Sequence, residues 1–463
     1  MISFFSFIES YICISIFCFL KTNISFKNIN KLAIPALIAG IAEPILSITD
    51  TAIIGNIDIN PIESLGAVGI VGTFISMLVW VFGQTRSAIS SIISQYLGAN
   101  KLTEVKNLPA QAITIIVIAS LLVLAFTFPF AKEIFELYGA KNLILNYAVE
   151  YYQIRIFGFP FALFVFAVFG TFRGLQNTFY PMIIAIIGAV INVILDVILV
   201  YGIDGFINPM HIEGAAYASV FAQISMAVLS AIYLLKKTPI SLKFTFPFNK
   251  EIKRLIGMIL NLFVRTIALN VALIMAVYFA TSYGKEYLAA YTIAINIWFL
   301  CAFIIDGYSS AGNILSGKLL GAKEYDTLLK LSTQLTKYAV LTSVFVVSIG
   351  FIFYFFIGRI FTQEQQVLDE FYKIFWIVLI QQPLCAVTFV FDAFFKGMGK
   401  MKYLRNLLML STGFVFVPSL LLFDSFDLKL HAIWISFSLW IIARGLPLII
   451  KFRRKFLPLA QKS

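Results

Sequence analysis

Twelve long apolar stretches dominate this sequence and limit what it can fold into. An α-helix needs about 20 apolar residues to cross the hydrocarbon core of a bilayer, and each stretch is about that long or longer. Strands of a membrane barrel are shorter and alternate apolar with polar residues, a pattern that is absent here. Only helices and closed barrels satisfy their backbone in lipid, so we predict an all-α membrane protein. The twelve predicted spans lie at about 31–55, 63–96, 109–130, 146–170, 181–202, 213–235, 255–282, 287–317, 333–357, 366–395, 403–423 and 430–450.

The composition excludes an ordinary soluble protein. Hydrophobic residues make up 60% of the chain and charged residues only 13%, too few charges to cover 463 residues with a water-facing surface. The four cysteines lie inside apolar stretches without zinc or redox spacing, and the chain has two histidines. We therefore expect no metal site and no cofactor.

Lys and Arg are distributed unevenly between alternate loops. About 25 of them fall in the termini and in the loops after helices 2, 4, 6, 8 and 10, whereas the opposite loops hold about six. This bias predicts a multi-pass protein of the cell (inner) membrane with both termini in the cytoplasm. The net charge of +12 is then explained by topology, and we expect no nucleic-acid partner.

The two halves of the chain are related by an internal repeat. In one constant alignment, the repeat register, ESLGAVGI (63–70) matches EYLAAYTI (286–293), and the triplet Phe-Arg-Gly at 172–174 matches Phe-Lys-Gly at 395–397. Each repeat contains six helices, an even number, so both have the same orientation and are related by a pseudo-two-fold axis along the membrane normal. Carriers that rock two bundles around a central cavity are built in this way.

The longest predicted cytoplasmic loop, 236–254, is the natural boundary between the lobes. We predict an N-lobe at 28–235 with helices 1–6, and a C-lobe at 255–463 with helices 7–12 and a basic tail. The apolar segment 1–27 lacks the basic start and the cleavage site of a secretory signal. An extra helix, an interfacial segment and a start codon assigned too far upstream all remain open for it.

Polar residues inside the spans indicate where the protein works, because a charge in the bilayer costs at least ~2.5 kcal/mol. Asp50 lies on helix 1, and Asn192 and Asp196 lie one turn apart on the same face of helix 5. Both acids are predicted at a similar depth in the outer half of the bilayer. Their repeat equivalents are Leu273 and Ser419, so the acids are not needed to build the six-helix unit. This favours a functional role confined to the N-lobe over scaffolding.

Three further acids and one proline are also candidates. Glu43 lies in the middle of helix 1 next to Pro44. It is either solvated by a cavity at the proline kink, where it would favour cationic substrates, or paired with an embedded Arg, and both alternatives remain open. We expect Asp392 on helix 10 to pair with Lys396 one turn away. For Asp306 on helix 8 the alternative to a functional role is a satisfied helix-packing acid. Asp306 and Asp392 are both candidates for a gating role, as is Pro44.

Four segments resemble the multidrug and toxic compound extrusion (MATE) family, and more narrowly its DinF-like branch. They are AIPALIAGIAEPILSITDTAIIG in helix 1, SQYLGANK after helix 2, NVILDVILVYG in helix 5 and GAAYAS in helix 6. The resemblance covers about residues 28–450. It implies a twelve-helix antiporter that expels organic, often cationic or amphipathic compounds in exchange for protons or sodium ions.

The resemblance also implies which residues couple ions and bind substrate. They are Asp50, Asn192, Asp196 and Ser219. Ser219 stands where the family usually has Thr, and patterns of the branch fall on Asp306 and Asp392. The place of a sodium-linked helix 10 acid is occupied by Cys385, and helix 7 has no Glu. These departures favour H+ over Na+ as the coupling ion.

We therefore predict a proton-coupled exporter, monomeric, whose partners are small-molecule substrates and membrane lipids. The alternative is a lipid-linked oligosaccharide flippase of the same superfamily, which would need a more cationic central cavity. Only Arg86, Arg155, Arg265 and Arg444 lie in or near the spans, each expected near a span edge. An intramembrane aspartyl protease is disfavoured because no Gly-x-Gly precedes Asp50 or Asp196, and we expect no enzyme activity.

The predicted topology can be tested with reporter fusions. A reporter after Ser463 and one inserted in the 236–254 loop should both be cytoplasmic, as the Lys and Arg bias requires. A third reporter between residues 55 and 63 serves as the control and should lie outside. An external signal from either of the first two would rule out the twelve-helix topology.

Overall fold

Helices account for 85% of the residues that the structure describes. The structure, a computed structural model, describes residues 22–57, 60–203 and 205–461, with the side chains of 42–48 left out. No β-sheet occurs in these ranges. The helices are α1 (Phe26–Ile54), α2 (Pro61–Gly83), α3 (Thr85–Gly98), α4 (Leu108–Thr127), α5 (Ala131–Leu137), α6 (Asn142–Arg155), α7 (Phe159–Gly174), α8 (Phe179–Tyr201), α9 (His211–Lys237), α10 (Ile252–Tyr283), α11 (Lys285–Gly321), α12 (Tyr325–Ile352), α13 (Tyr354–Phe361), α14 (Gln365–Ile380), α15 (Gln382–Gly397), α16 (Met401–Ser411), α17 (Val417–Asp424) and α18 (Leu430–Ala460).

Twelve membrane spans can be built from these helices, which confirms the predicted fold class. Ten helices or joined helix pairs in the described ranges are long and apolar enough to cross a membrane, and α14 with α15 forms an eleventh span bent by 45°. The 29-residue α1 brings the number to twelve. Two predicted bounds differ most from the structure: α12 begins at Tyr325 instead of 333, and α18 continues to Ala460 instead of ending near 450. Both helices extend beyond the apolar core through polar and basic residues.

Two spans are broken at positions that the internal repeat relates. Between α6 and α7, residues Ile156–Gly158 form a 3-10 turn before Pro160, and between α14 and α15 the helix is interrupted at Gln381 before Pro383. Proline lacks an N–H group and its ring crowds the preceding turn, so it sits at the start of the second helix in each case. The two prolines are equivalent in the repeat register, and so are the short helices α5 and α13.

The lobes touch through a symmetric glycine contact between α3 and α11. A Cβ atom at Gly98 would overlap the Lys318 carbonyl oxygen, and a Cβ atom at Gly321 would overlap the Gln95 carbonyl oxygen. The repeat register exchanges one contact for the other, so the pseudo-two-fold axis passes between them. Glycine is required at both places because any side chain would push the backbones apart. This contact closes the end of the molecule that the sequence predicts to be cytoplasmic.

Helix α1 packs against both lobes. Its first turns contribute Ile29, Leu32 and Ala33 to a buried apolar cluster that consists mostly of C-lobe residues. Gly307 of α11 approaches it so closely that a Cβ atom there would meet Leu37 and the Ala33 carbonyl. Further along, α1 packs against α8 and α9 of the N-lobe. A movement of α1 therefore affects both halves.

Candidate functional site

The four residues assigned to the N-lobe site come together between α1, α8 and α9. The Ser219 hydroxyl donates to Oδ2 of Asp50 at 3.3 Å, and Nδ2 of Asn192 reaches the Ser219 oxygen at 3.5 Å. Asp196 lies one turn beyond Asn192 on α8 and is fully buried, and the other three are also buried. The helical spacing of Asn192 and Asp196 directs both side chains to the same interior face, as the sequence predicted.

The carboxyl groups of Asp50 and Asp196 lie close enough to act on each other directly. No donor from the described residues reaches either oxygen of Asp196 or the Oδ1 atom of Asp50. Two facing carboxylates repel each other, whereas a pair that shares one proton forms a hydrogen bond. The arrangement is therefore chemically suited to taking up and releasing a proton.

A cation and a phenol, neither of which the sequence analysis assigned to this site, complete the cluster. Arg155 at the end of α6 acts electrostatically on both Asp50 and Asp196. The buried Tyr151, one turn earlier, lies beside the Arg155 guanidinium. The sequence analysis expected Arg155 near a span edge, but the helix break that follows it turns the side chain towards the acids. A basic residue directly before a broken span was the signal available in the sequence.

Glu43 and Pro44 lie on α1, whose backbone is helical through both positions. Their side chains fall outside the described residues. The predicted roles of Glu43 in cation selection and of Pro44 in gating therefore stay predictions. The alternative, an ion pair between Glu43 and an embedded Arg, also stays a prediction.

A cavity of about 260 Å³ lies between the lobes and is lined from both of them. Its walls come from α3 and α7 of the N-lobe and from α10, α11, α15 and α18 of the C-lobe. Five basic side chains face it, but only two acidic ones, a formal surplus of three positive charges. The basic residues are Arg86, Arg173, Arg265, Lys396 and Arg444, and the acidic ones are Asp306 and Asp392.

Asp392 is buried between two cations. Its Oδ2 atom lies 3.1 Å from Nζ of Lys396, which is the pair that the sequence predicted, and its Oδ1 atom lies 2.9 Å from Nη2 of Arg265 on α10. The sequence analysis missed the second partner. Gly307 packs against α1, so the preceding Asp306 is turned into the cavity, where Ser310 donates a long 3.5 Å hydrogen bond to it.

Comparison with known proteins identifies the family. The MatE family model matches two segments of nearly equal length, residues 35–198 and 262–421, one in each half of the chain. Together they cover well over half of the sequence. The chain belongs to the MATE family. MATE proteins are transporters and not enzymes, and this one is a multi-pass membrane protein.

Several MATE relatives match over nearly their whole length. The DNA damage-inducible protein F of Escherichia coli K12 is 25% identical over 460 residues, which is 96% of each chain. The multidrug export protein MepA of Staphylococcus aureus is 20% identical over 418 residues, 88% of this chain and 89% of its own length. These relatives confirm the DinF-like resemblance and include a multidrug exporter.

Solved MATE structures have the same fold. A MATE crystal structure in the bent conformation superimposes with a TM-score of 0.86 at 20% identity and covers 94% of this chain and 96% of its own. A second neighbour, with a TM-score of 0.85, 20% identity and coverage of 94% and 96%, is a MOP superfamily transporter from Pyrococcus furiosus, described as having a binding pocket of reverse polarity.

The cation-rich cavity of this MATE protein corrects one expectation. Arg86, Arg265 and Arg444 were placed near span edges, but they line the central cavity together with Arg173 and Lys396. Their helices border this cavity, and the side chains point into it instead of into lipid, where a charge is costly. No group of three or more His, Cys, Asp or Glu that could hold a metal ion occurs in the described part of the chain.

The ion pairs of the C-lobe give a stability prediction. Asp392→Asn should lower the free energy of unfolding by about 3 kcal/mol or more, because it leaves two buried cations uncompensated. Asp306→Asn is the matched control and should cost less than about 1 kcal/mol, since Asp306 is exposed to the cavity and makes no close ion pair with another described residue. Thermal unfolding of both purified variants in detergent measures the difference. Equal stability of the two variants would contradict the buried ion pairs.

Proposed function

We propose that this MATE protein is a proton-coupled antiporter that exports organic amphipathic compounds by alternating access. The observation that carries the proposal is the pair of facing carboxyl groups, Asp50 and Asp196, buried in the N-lobe. A buried acid pair that exchanges a proton is a means of coupling, because the two protonation states have different geometries and solvation. The site supports H+ as the coupling ion.

The surrounding side chains favour the ionised state of the acids, whereas burial and the mutual repulsion of the two acids favour proton uptake. Arg155 attracts the ionised acids, and Ser219, itself held by Asn192, donates a hydrogen bond to Asp50. After proton uptake, a hydrogen bond between the carboxyl groups replaces their repulsion. Asp50 is then drawn towards Asp196, and α1 moves with it relative to α8.

Helix α1 links this event to the rest of the molecule. Its first turns pack on the C-lobe, and Gly307 holds the two helices in close contact. A shift or bend of α1 changes the relative free energies of the two arrangements of the lobes, which is a population shift driven by proton binding. We propose that protonation changes the arrangement of the lobes and releases substrate outward. Both lobes belong to one chain, so a monomer suffices.

The direction of transport follows from the proposed topology. The lobes are in contact at the end with Gly98 and Gly321, which the Lys and Arg bias assigns to the cytoplasm. The proposal therefore assigns this conformation to the stage at which substrate leaves to the outside of the cell membrane. Protein F of Escherichia coli and MepA support an exporter by similarity.

A second candidate function is flipping of a lipid-linked oligosaccharide. One observation favours it, namely the five basic side chains that line the central cavity, which suit a pyrophosphate group. The match to the MATE family favours export. An exporter moves a soluble compound across the membrane, whereas a flippase moves a lipid-linked oligosaccharide between its two leaflets.

The proposed coupling predicts the effect of one substitution. Asp196→Asn keeps the shape of the side chain but removes the titrating proton, so it should abolish gradient-driven efflux while membrane abundance stays near normal. Asp369→Asn on the exposed surface of α14 is the control and should transport normally. Efflux of amphipathic fluorescent dyes, one cationic and one anionic, is measured with pH and sodium gradients imposed separately. Wild-type efflux by Asp196→Asn, or efflux that only a sodium gradient drives, would refute the proposal.

A further inference from the structure

The central cavity carries more positive charge than its own acids neutralise. Asp392 is already engaged by Arg265 and Lys396, and Asp306 is the other carboxylate that lines the cavity. Arg86, Arg173 and Arg444 make no salt bridge with any described side chain. A cation held in a membrane without a counter-ion is costly, so this surplus needs an explanation.

Arg173 and Arg444 are the clearest cases, because both are nine-tenths or more buried and face the cavity. Only 6% of Arg173 and 5% of Arg444 is exposed. Arg173 has one long hydrogen bond, 3.4 Å from Nη1 to the Ser310 hydroxyl, and no described acceptor reaches its Nε atom. The Nε atom of Arg86 also lacks an acceptor among the described residues.

The cations are arranged next to each other, which raises their mutual repulsion. Arg86 lies close enough to Arg173 to repel it, and Arg265 does the same to Arg444. Asp306 attracts Arg173 and Asp392 attracts Arg444, each with a smaller effect than the neighbouring arginine has. One arginine pair comes from the N-lobe and the other from the C-lobe, so the cavity is cationic on both sides. A negatively charged group between them would relieve both repulsions and accept the free N–H donors.

Part of the remaining wall of the cavity is aromatic. It includes Trp298, Phe389, Trp434, Phe437 and Trp440. The Arg444 guanidinium lies 4.7 Å from the centre of the Trp440 ring, and this contact holds it in position. The indole N–H of Trp434 finds no acceptor among the described residues. Such a surface binds a flat apolar body next to the charge.

We infer that the substrate of this transporter is an organic anion with an apolar, preferably aromatic body. The inference rests on the proposed export function and names its substrate class. A carboxylate, sulfonate or phosphate lies against Arg173 and Arg444, and the apolar body lies on the aromatic wall. Asp50 and Asp196 do not line this cavity, so the proton and the anion occupy separate sites. This differs from the cationic substrates that the family resemblance implied.

Two dyes with the same ring system test the sign of the charge. Fluorescein is an anion at neutral pH, whereas tetramethylrhodamine methyl ester is a cation. Fluorescence anisotropy with the purified full-length protein should show tighter binding of fluorescein. Arg173→Gln and Arg444→Gln should each weaken fluorescein binding roughly tenfold, because a charge-assisted hydrogen bond is lost. Preferred binding of the cation, or unchanged fluorescein binding by both variants, would overturn the inference.

Matched variants separate charge from folding. Arg359→Gln makes the same chemical change on the exposed surface of α13 and should bind fluorescein like the wild type. Arg173→Lys keeps the charge and should restore most of the affinity lost in Arg173→Gln. Neither Gln variant in the cavity should lower the melting temperature, because each removes a buried charge that has no described ion-pair partner. Weak binding in Arg173→Lys equal to that in Arg173→Gln would contradict the role of charge.

Two further measurements identify the source of the anion and separate the inference from the proposed coupling. In a competition experiment, farnesyl phosphate is added to displace bound fluorescein from the cavity. If this lipid phosphate binds with much higher affinity than fluorescein, the substrate anion is a lipid headgroup and not a soluble compound. In proteoliposomes, fluorescein export should depend on a pH gradient. Tight fluorescein binding without any response to that gradient contradicts proton coupling but leaves the anion site intact. Gradient-driven transport of the cationic dye but not of fluorescein would support proton coupling and contradict the anion site.

Discussion

The cost of holding a charge inside a membrane determines where this protein can work. The charged groups of the acidic cluster and of the central cavity each have a partner or face the cavity. Asp50 and Asp196 face each other beside Arg155, and Asp392 sits between two cations. Arg173 lines the space between the lobes. The charges are thus sorted into an acidic cluster in the N-lobe and a basic cavity at the centre, and each location suits a different chemical task.

Comparison of the two repeats distinguishes residues that build the fold from residues that carry the function. Packing features recur in the repeat register, including the contacts of Gly98 and Gly321 and the helix breaks before Pro160 and Pro383. The acids do not recur, because Asp196 corresponds to Ser419. Duplication therefore accounts for the six-helix unit and for the symmetric contact between lobes. The functional acids distinguish the N-lobe from the C-lobe within this symmetric fold.

The sequence predicts features that depend on local periodicity. Span length gives twelve helices, and helical spacing puts Asn192 and Asp196 on one face and pairs Asp392 with Lys396. The sequence does not predict contacts between distant segments. Arg265 lies 127 residues from Asp392, and no local pattern joins the two. For the same reason the basic cavity was missed, since its charges come one by one from different helices. The predicted helix ends were wrong where an amphipathic helix continues into polar residues, as in the last helix, which ends at Ala460.

The central claim is that protonation of the acidic cluster moves the lobes, and a distance measurement tests it most directly. Spin labels at the exposed positions Lys101 and Lys323, just beyond the ends of α3 and α11, report the separation of the lobes at the glycine contact. The account predicts that the distance distribution of the wild type shifts with pH and that Asp196→Asn abolishes this shift. A wild type that does not respond to pH, or an Asp196→Asn variant that responds like the wild type, would contradict it.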